Sequence, residues 1–266
     1  MPVDAPDLKT TTDALEVCAR RFGALLEDVD DPGAIATGRW TIADVAAHLA
    51  FGPDYLLPMV EHRDGPRAES IEGITALNDA VLDREPERDV RALARRFDAG
   101  VADMVRALRA SDPAVPLRWH GDQEILPGSL AGIALGEVLV HGYDVARAAN
   151  AHWTIEPGHA RIVFQAITSI LPQYVRRDAT RGMHEVVEVR LRGGPHVQIV
   201  IDDGTGFVEP AGARRASCTI SAEPVAMLLV SYGRSGPVKP ALTGKVVVWG
   251  RKPWLGVRLP ALFESP

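Results

Sequence analysis

Glu137 and His141 are the residues of this chain best placed to do chemistry. They stand four apart in a run that reads as one helix. Four residues rise about 6 Å and turn about 40°, so the carboxylate and the imidazole can reach one point. His48 lies on a second predicted helix. In a helical bundle, facing helices bring such side chains together, and His48 can supply a third donor. Two imidazoles and one carboxylate suit zinc or a similar divalent ion, with coordination positions left for water or substrate. Asp144 falls about 20° to the other side of Glu137 and can orient a ligand from behind. Asp44 is placed to do the same for His48. Spacing alone is weak support. With eight His and 35 acidic residues in 266, about one acid–His pair at helical separation arises by chance, and such pairs also serve as simple ion pairs. The setting adds weight, because both histidines lie among Ala, Val, Leu and Gly. A carboxylate buried there requires a partner, and a cation is one solution.

The elements that must carry these residues follow from periodicity. Leu8, Leu15, Cys18, Phe22, Leu25 and Val29 recur at helical spacing until Asp30-Asp31-Pro32-Gly33 stops them. Thr41 can cap a second helix, with Asp44 completing an acidic variant of the capping box and Pro53 as a kink. A third helical region begins near Ser70, breaks at Pro86 and resumes from Val90 to Leu108. A loop from Asp112 to about Gly128 precedes a fourth helix, Ser129 to Ala149. Four amphipathic helices predict a four-helix bundle. Beyond Pro157, which can open one more helix, the pattern changes to period two. Val187, Val189 and Leu191 alternate with Glu188, Arg190 and Arg192. Gly193-Gly194-Pro195 makes a turn, Val197, Ile199 and Ile201 alternate again, and Asp202-Asp203-Gly204 makes a second turn. Ser217–Ile220 and Lys245–Trp249 read as strands flanking a helix from Ala222 to about Tyr232. The expected organisation is a bundle over residues 1–152 and a small α+β domain over residues 153–266.

Composition removes several functions. Hydrophobic residues make up 46% of the chain and charged residues 24%, as in a globular protein with a core. The formal net charge of −6 argues against a nucleic-acid or anionic-membrane surface. Cys18 and Cys218 are too few for a disulfide scaffold or a four-cysteine zinc site. No window offers the roughly 20 apolar residues of a membrane span. The first residues have neither the basic nor the apolar region of a secretory signal, so a cytoplasmic location is expected.

Two motifs carry a family resemblance. Trp40-Thr41-Ile42-Ala43-Asp44-Val45-Ala46-Ala47-His48-Leu49 resembles the helix signature of the mycothiol-dependent maleylpyruvate isomerases and their DinB-like relatives. Glu137-Val138-Leu139-Val140-His141-Gly142-Tyr143-Asp144 resembles the second metal motif of that family. The C-terminal half, especially Leu229-Val230-Ser231-Tyr232-Gly233-Arg234, is similar to sterol carrier proteins. The resemblance implies a DinB-like four-helix bundle followed by a sterol-carrier-like α+β domain, with His48, Glu137 and His141 as ligands of a divalent metal, zinc foremost. It further implies a low-molecular-weight thiol of the mycothiol type as cosubstrate and a small electrophile as substrate. The family's isomerases hold an acidic substrate with arginines; Arg234 and Arg84 match best, and Arg251 is a third position. Metal-bound thiolate would add to a conjugated bond and leave again in isomerisation, or stay attached in S-transfer. Cys18 and Cys218, each among core residues, are expected to be buried and not to supply that thiol. A non-catalytic carrier of a small molecule or lipid, or a metal-dependent hydrolase, are alternative readings. His120, in the long loop, is expected to be exposed.

Overall fold

The computed structural model describes residues 4–264, which divide into two compact units. The first spans Asp7–Ile155. Its first helix, α1 (Leu8–Glu27), starts where the Asp7 carboxylate accepts from the Thr10 amide at 2.8 Å, and it buries Leu15, Cys18, Phe22 and Leu26. A short hairpin of β1 (Ile35–Thr37) and β2 (Trp40–Thr41) feeds α2 (Ile42–Val60). The predicted capping box is present: Thr41 Oγ1 accepts from the Asp44 amide, and Asp44 accepts from the Thr41 amide. α2 runs through both Pro53 and Pro58. The third helical region is two helices. α3 (Ile74–Arg84) stops before Pro86, and α4 (Val90–Ala110) restarts on the Asp89 cap. β3 (Leu117–Arg118) and β4 (Glu124–Ile125) form a second small hairpin, followed by α5 (Pro127–Ala148).

Helices α1, α2, α4 and α5 pack as the four-helix bundle, and α3 lies against α2. Phe22 and Phe97 meet edge to face in the α1–α4 seam, centroids 5.3 Å apart. His120 corrects the expectation of an exposed loop residue: it is 6% exposed, and its Nδ1 accepts from the Ala68 amide at 2.9 Å. Burial pushes its pKa down to about 4. The β3–β4 hairpin folds back onto the segment before α3, so the residue sits beneath chain rather than in solvent.

The second unit comprises residues 156–264, with residues 4–6 attached. It opens with α6 (Pro157–Ile170) and the single turn α7 (Arg177–Thr180). Its strands are β5 (His184–Leu191), β6 (His196–Asp202), β7 (Thr205–Pro210) and β8 (Cys218–Ala222). Then come α8 (Pro224–Ser231), α9 (Val238–Leu242), β9 (Val246–Gly250) and α10 (Trp254–Arg258). The sheet order is β7-β6-β5-β8-β9, antiparallel except for the β5–β8 pair. Asp203 and Gly204, both at positive φ, make the tight turn between β6 and β7. Val187, Val189, Val197, Ile199, Ile201, Cys218 and Ile220 share one sheet face and pack with Leu255, Leu259 and Leu262. Glu188, on the opposite face, is nevertheless buried, where it meets His196, Arg190 and Gln198. Both cysteines are buried, as expected, and no disulfide joins them. No described helix is long and apolar enough to cross a membrane.

Candidate metal centre

α5 is built to sit deep in the bundle. Gly128, Ala131, Gly132, Ala134, Gly136, Gly142 and Ala146 keep its surface low, and most of its length is buried. Its turn from Glu137 to His141 faces α2, and His48 projects from that helix to meet it. Glu137 Oε2 lies 3.1 Å from His48 Nε2 and 3.4 Å from His141 Nε2. One donor atom from each of the three residues falls within 4.8 Å of the others. The two imidazole planes meet at 73°, so their Nε2 lone pairs converge rather than stack.

The electrostatics of this cluster are those of an anion held between two bases. Burial alone would raise the Glu137 pKa. Hydrogen bonds from His141 and His48 outweigh it and hold the carboxyl well below its usual range. Burial alone would lower the His141 pKa; Asp144 and Glu137 outweigh it and raise the imidazole above its ordinary value. Asp144 is fully buried, with Oδ2 3.3 Å from His141 Nδ1. A proton on Nδ1 therefore faces the Asp144 carboxylate; Nε2 donates to Glu137 when protonated and would offer its lone pair to a cation held between them. The donor set fits a divalent cation such as zinc: neutral imidazole nitrogens and a carboxylate oxygen, in a group too few to close a tetrahedron. The Glu137 side chain keeps 28% of its exposure, so the cluster opens on one side.

Two tryptophans frame the site without having stood out as functional in the sequence. The Trp40 ring lies 5.0 Å from that of His48 and 6.2 Å from that of His141. Its signal was its place, one residue before the cap of α2. Trp153 presses against α5 at Gly142, next to His141, and its Nε1 donates to Leu139 O at 3.0 Å. A side chain at 142 would occupy the ring's volume.

The other sequence candidates are placed differently. Asp44 is engaged away from His48, by Thr41 in the capping box and by Arg88 Nε at 3.0 Å. Arg84 is exposed in the last turn of α3. Arg234 is half-buried in the second unit, with a guanidinium nitrogen donating to Tyr232 O at 2.7 Å. Arg251 is exposed.

Residues 15–146 match the family model described as mycothiol maleylpyruvate isomerase N-terminal domain, and residues 164–251 match the SCP-2 sterol transfer family. The chain thus carries a domain of each of these families, in that order. Its fold is that of the mycothiol-dependent maleylpyruvate isomerase. A crystal structure of that protein aligns with a TM-score of 0.55 at 14% identity, covering 91% of this chain and 92% of the other. A crystal structure of a mutant of it aligns with a TM-score of 0.57, at the same identity and coverage. No curated protein matches this sequence.

Proposed function

We propose that the first unit is the catalytic part of a metal-dependent enzyme. It would activate a low-molecular-weight thiol of the mycothiol class for isomerisation of, or S-transfer to, a small electrophile. The observation that carries this reading is the convergence of His48, Glu137 and His141 within 4.8 Å. Membership of the isomerase-type domain family supports the thiol. A bound divalent cation, zinc by its ligands, lowers the pKa of a coordinated thiol from about 8.5 and so supplies a nucleophile at neutral pH. The chain's own residues do the rest. His48 and His141 present Nε2, and Glu137 supplies the one anionic donor. Asp144 holds the proton at His141 Nδ1. Trp40 packs beside both imidazoles. Arg84 and Arg234 are the proposed anchors for an acidic substrate. The test is metal content together with mycothiol conjugation or isomerisation, for the wild type and for His48→Ala. Full activity in a metal-free His48→Ala protein would refute the reading.

A second reading is favoured by one feature of the second unit, a cavity of about 470 Å³. Its walls include Phe164, Ile167, Leu171, Ile220, Met227 and Val248. Such a volume fits a small apolar ligand, and the unit would then be a carrier of that ligand. Mass spectrometry of an organic extract of the purified protein tests it; no stoichiometric apolar species would count against it.

A further inference from the structure

The open side of the metal centre continues along the bundle. α2 and α5 run antiparallel: the Trp40 ring, just before α2, lies 6.2 Å from that of His141, and Arg147, at the end of α5, donates to Ala36 O at 2.7 Å. Steps from His48 toward Tyr55 on α2 and from His141 toward Ile133 on α5 therefore lead the same way. On α2, Gly52 and Tyr55 fall within about 40° of His48 around the helix. All three are partly exposed, while Val45 and Phe51, to either side of this strip, are buried. The strip is thus a recess between packed edges, not an outer surface. On α5 the pattern is narrower. From Pro127 to Ala146 only Ile133, Glu137 and Tyr143 are not buried, and Ile133 stands one turn from Glu137. Leu130, nearly a turn further on, is fully buried and closes that wall.

Gly52 keeps the recess open. A Cβ there would meet nothing within 4 Å, whereas Gly100 and Gly142 are pressed against Pro53 and Trp153. A glycine inside a helix costs stability relative to almost any other residue, and no close packing accounts for this one. Tyr55 ends the strip, two turns beyond His48 and about 10 Å along the axis. Burial, with Asp54 and Glu85 nearby, pushes its phenol up to about 12, so the hydroxyl keeps its proton at neutral pH. That hydroxyl has no hydrogen-bond partner among the described residues. Its charged neighbours are Asp54, Glu85 and Arg84, a mixed setting that suits the hydroxyls and amides of a neutral polar group.

We infer that the recess running from His48 past Gly52 to Tyr55 holds the body of the thiol cosubstrate, an extended neutral polar group, with the Tyr55 hydroxyl bonded to it and Gly52 giving it room. The inference rests on the thiol reading proposed above. A thiol whose sulfur lies at the cluster of His48, Glu137 and His141 must carry its body out through the open side, and Gly52, Tyr55 and Ile133 bound that side. A thiol without a body gains nothing there. Cobalt-loaded protein is titrated with mycothiol and with 2-mercaptoethanol, and the thiolate-to-cobalt absorption band reads the occupancy by each. Mycothiol is expected to bind the more tightly. Gly52→Leu fills the recess and lowers mycothiol affinity by about tenfold or more. Tyr55→Phe removes one hydrogen bond and lowers it about two- to tenfold. Neither changes the affinity for mercaptoethanol. Leu is the better helix former, so the Tm of Gly52→Leu does not fall, as it would if the glycine served packing. Tyr55→Phe carries the same test whether or not Gly52→Leu folds. Equal binding of the two thiols by the wild type, an unchanged preference in the folded variants, or a loss that strikes both thiols alike overturns the inference and leaves the thiol reading standing. Absence of the band with either thiol overturns that reading, and the inference with it.

Discussion

Replacing Asp144 by Asn tests the proposed centre without touching a ligand. The side chain is 1% exposed and its Oδ2 lies 3.3 Å from His141 Nδ1. Asn keeps the size but loses the charge that fixes the imidazole's proton. Carboxylates behind a metal-bound histidine contribute about 10–100-fold to metal affinity, which is about 1.4–2.7 kcal/mol. At a zinc concentration 100 times the wild-type dissociation constant, binding stabilises the fold by about 2.7 kcal/mol. For a unit of about 150 residues that raises Tm by roughly 5–10 °C. In Asp144→Asn the same zinc concentration contributes only about 0.4–1.4 kcal/mol, and the rise shrinks to roughly 1–5 °C. Competition with a chromophoric chelator measures the affinity, and differential scanning fluorimetry measures the shift. The pH dependence has a definite sign. Asp144 helps raise the His141 pKa, so protons compete more with metal in the wild type, and its advantage narrows as pH falls from about 8 to about 6. Equal affinity and equal thermal shift in a folded Asp144→Asn protein would refute both the ligand assignment and Asp144's role.

Gly142→Ala is expected to destabilise the first unit by about 2 kcal/mol. The new Cβ displaces Trp153 from Leu139 O and from the Arg21 stack, at more than the helix propensity gained; a fall in Tm of about 5 °C checks it. In the second unit, burial would raise the Glu188 pKa, but hydrogen bonds from His196, Arg190 and Gln198 hold it at about 2. Its contribution to stability is present above the ordinary value of 4.5 and is lost as pH falls toward about 2. Urea unfolding as a function of pH should lose that slope in Glu188→Gln. Cobalt added to the protein should quench tryptophan emission through Trp40, the indole beside both imidazoles, and Trp40→Phe should abolish most of the quenching.

The bundle was legible because its signals are local. The Thr41–Asp44 box sets where α2 begins, and helical spacing alone places Glu137 and His141 on one face of α5. That His48 meets them is a tertiary fact, for which facing helices gave only a reason to expect it. Asp44 shows the limit of spacing. It stands four before His48 as Glu137 does before His141, yet a first-turn acid is drawn to the free amides and to Arg88 instead. The β3–β4 hairpin has two-residue strands, too short to show alternation, so the burial of His120 left no trace in the sequence. Glu188 likewise reads as a solvated residue alternating with Val187 and Val189. Only the β5–β6 register and the loop bearing Arg214 bring it partners and cover.

The centre's electrostatics explain why three such groups can be kept in a packed bundle. With both imidazoles neutral, Glu137 and Asp144 would be two negative charges held against apolar helices, which is costly. The cluster can offset that charge in part by taking a proton onto His141, whose pKa is raised, or more fully by accepting a divalent cation at the same Nε2 and Oε2 atoms. Proton and metal are thus alternatives for one set of lone pairs. A fold that stores a proton there is stable without metal, and divalent cation binding near neutral pH would release that proton. Calorimetry of zinc binding in two buffers of different ionisation enthalpy measures the proton directly. Metal uptake with no proton released would mean that His141 is already neutral, and that the Glu137 charge is balanced by some other group.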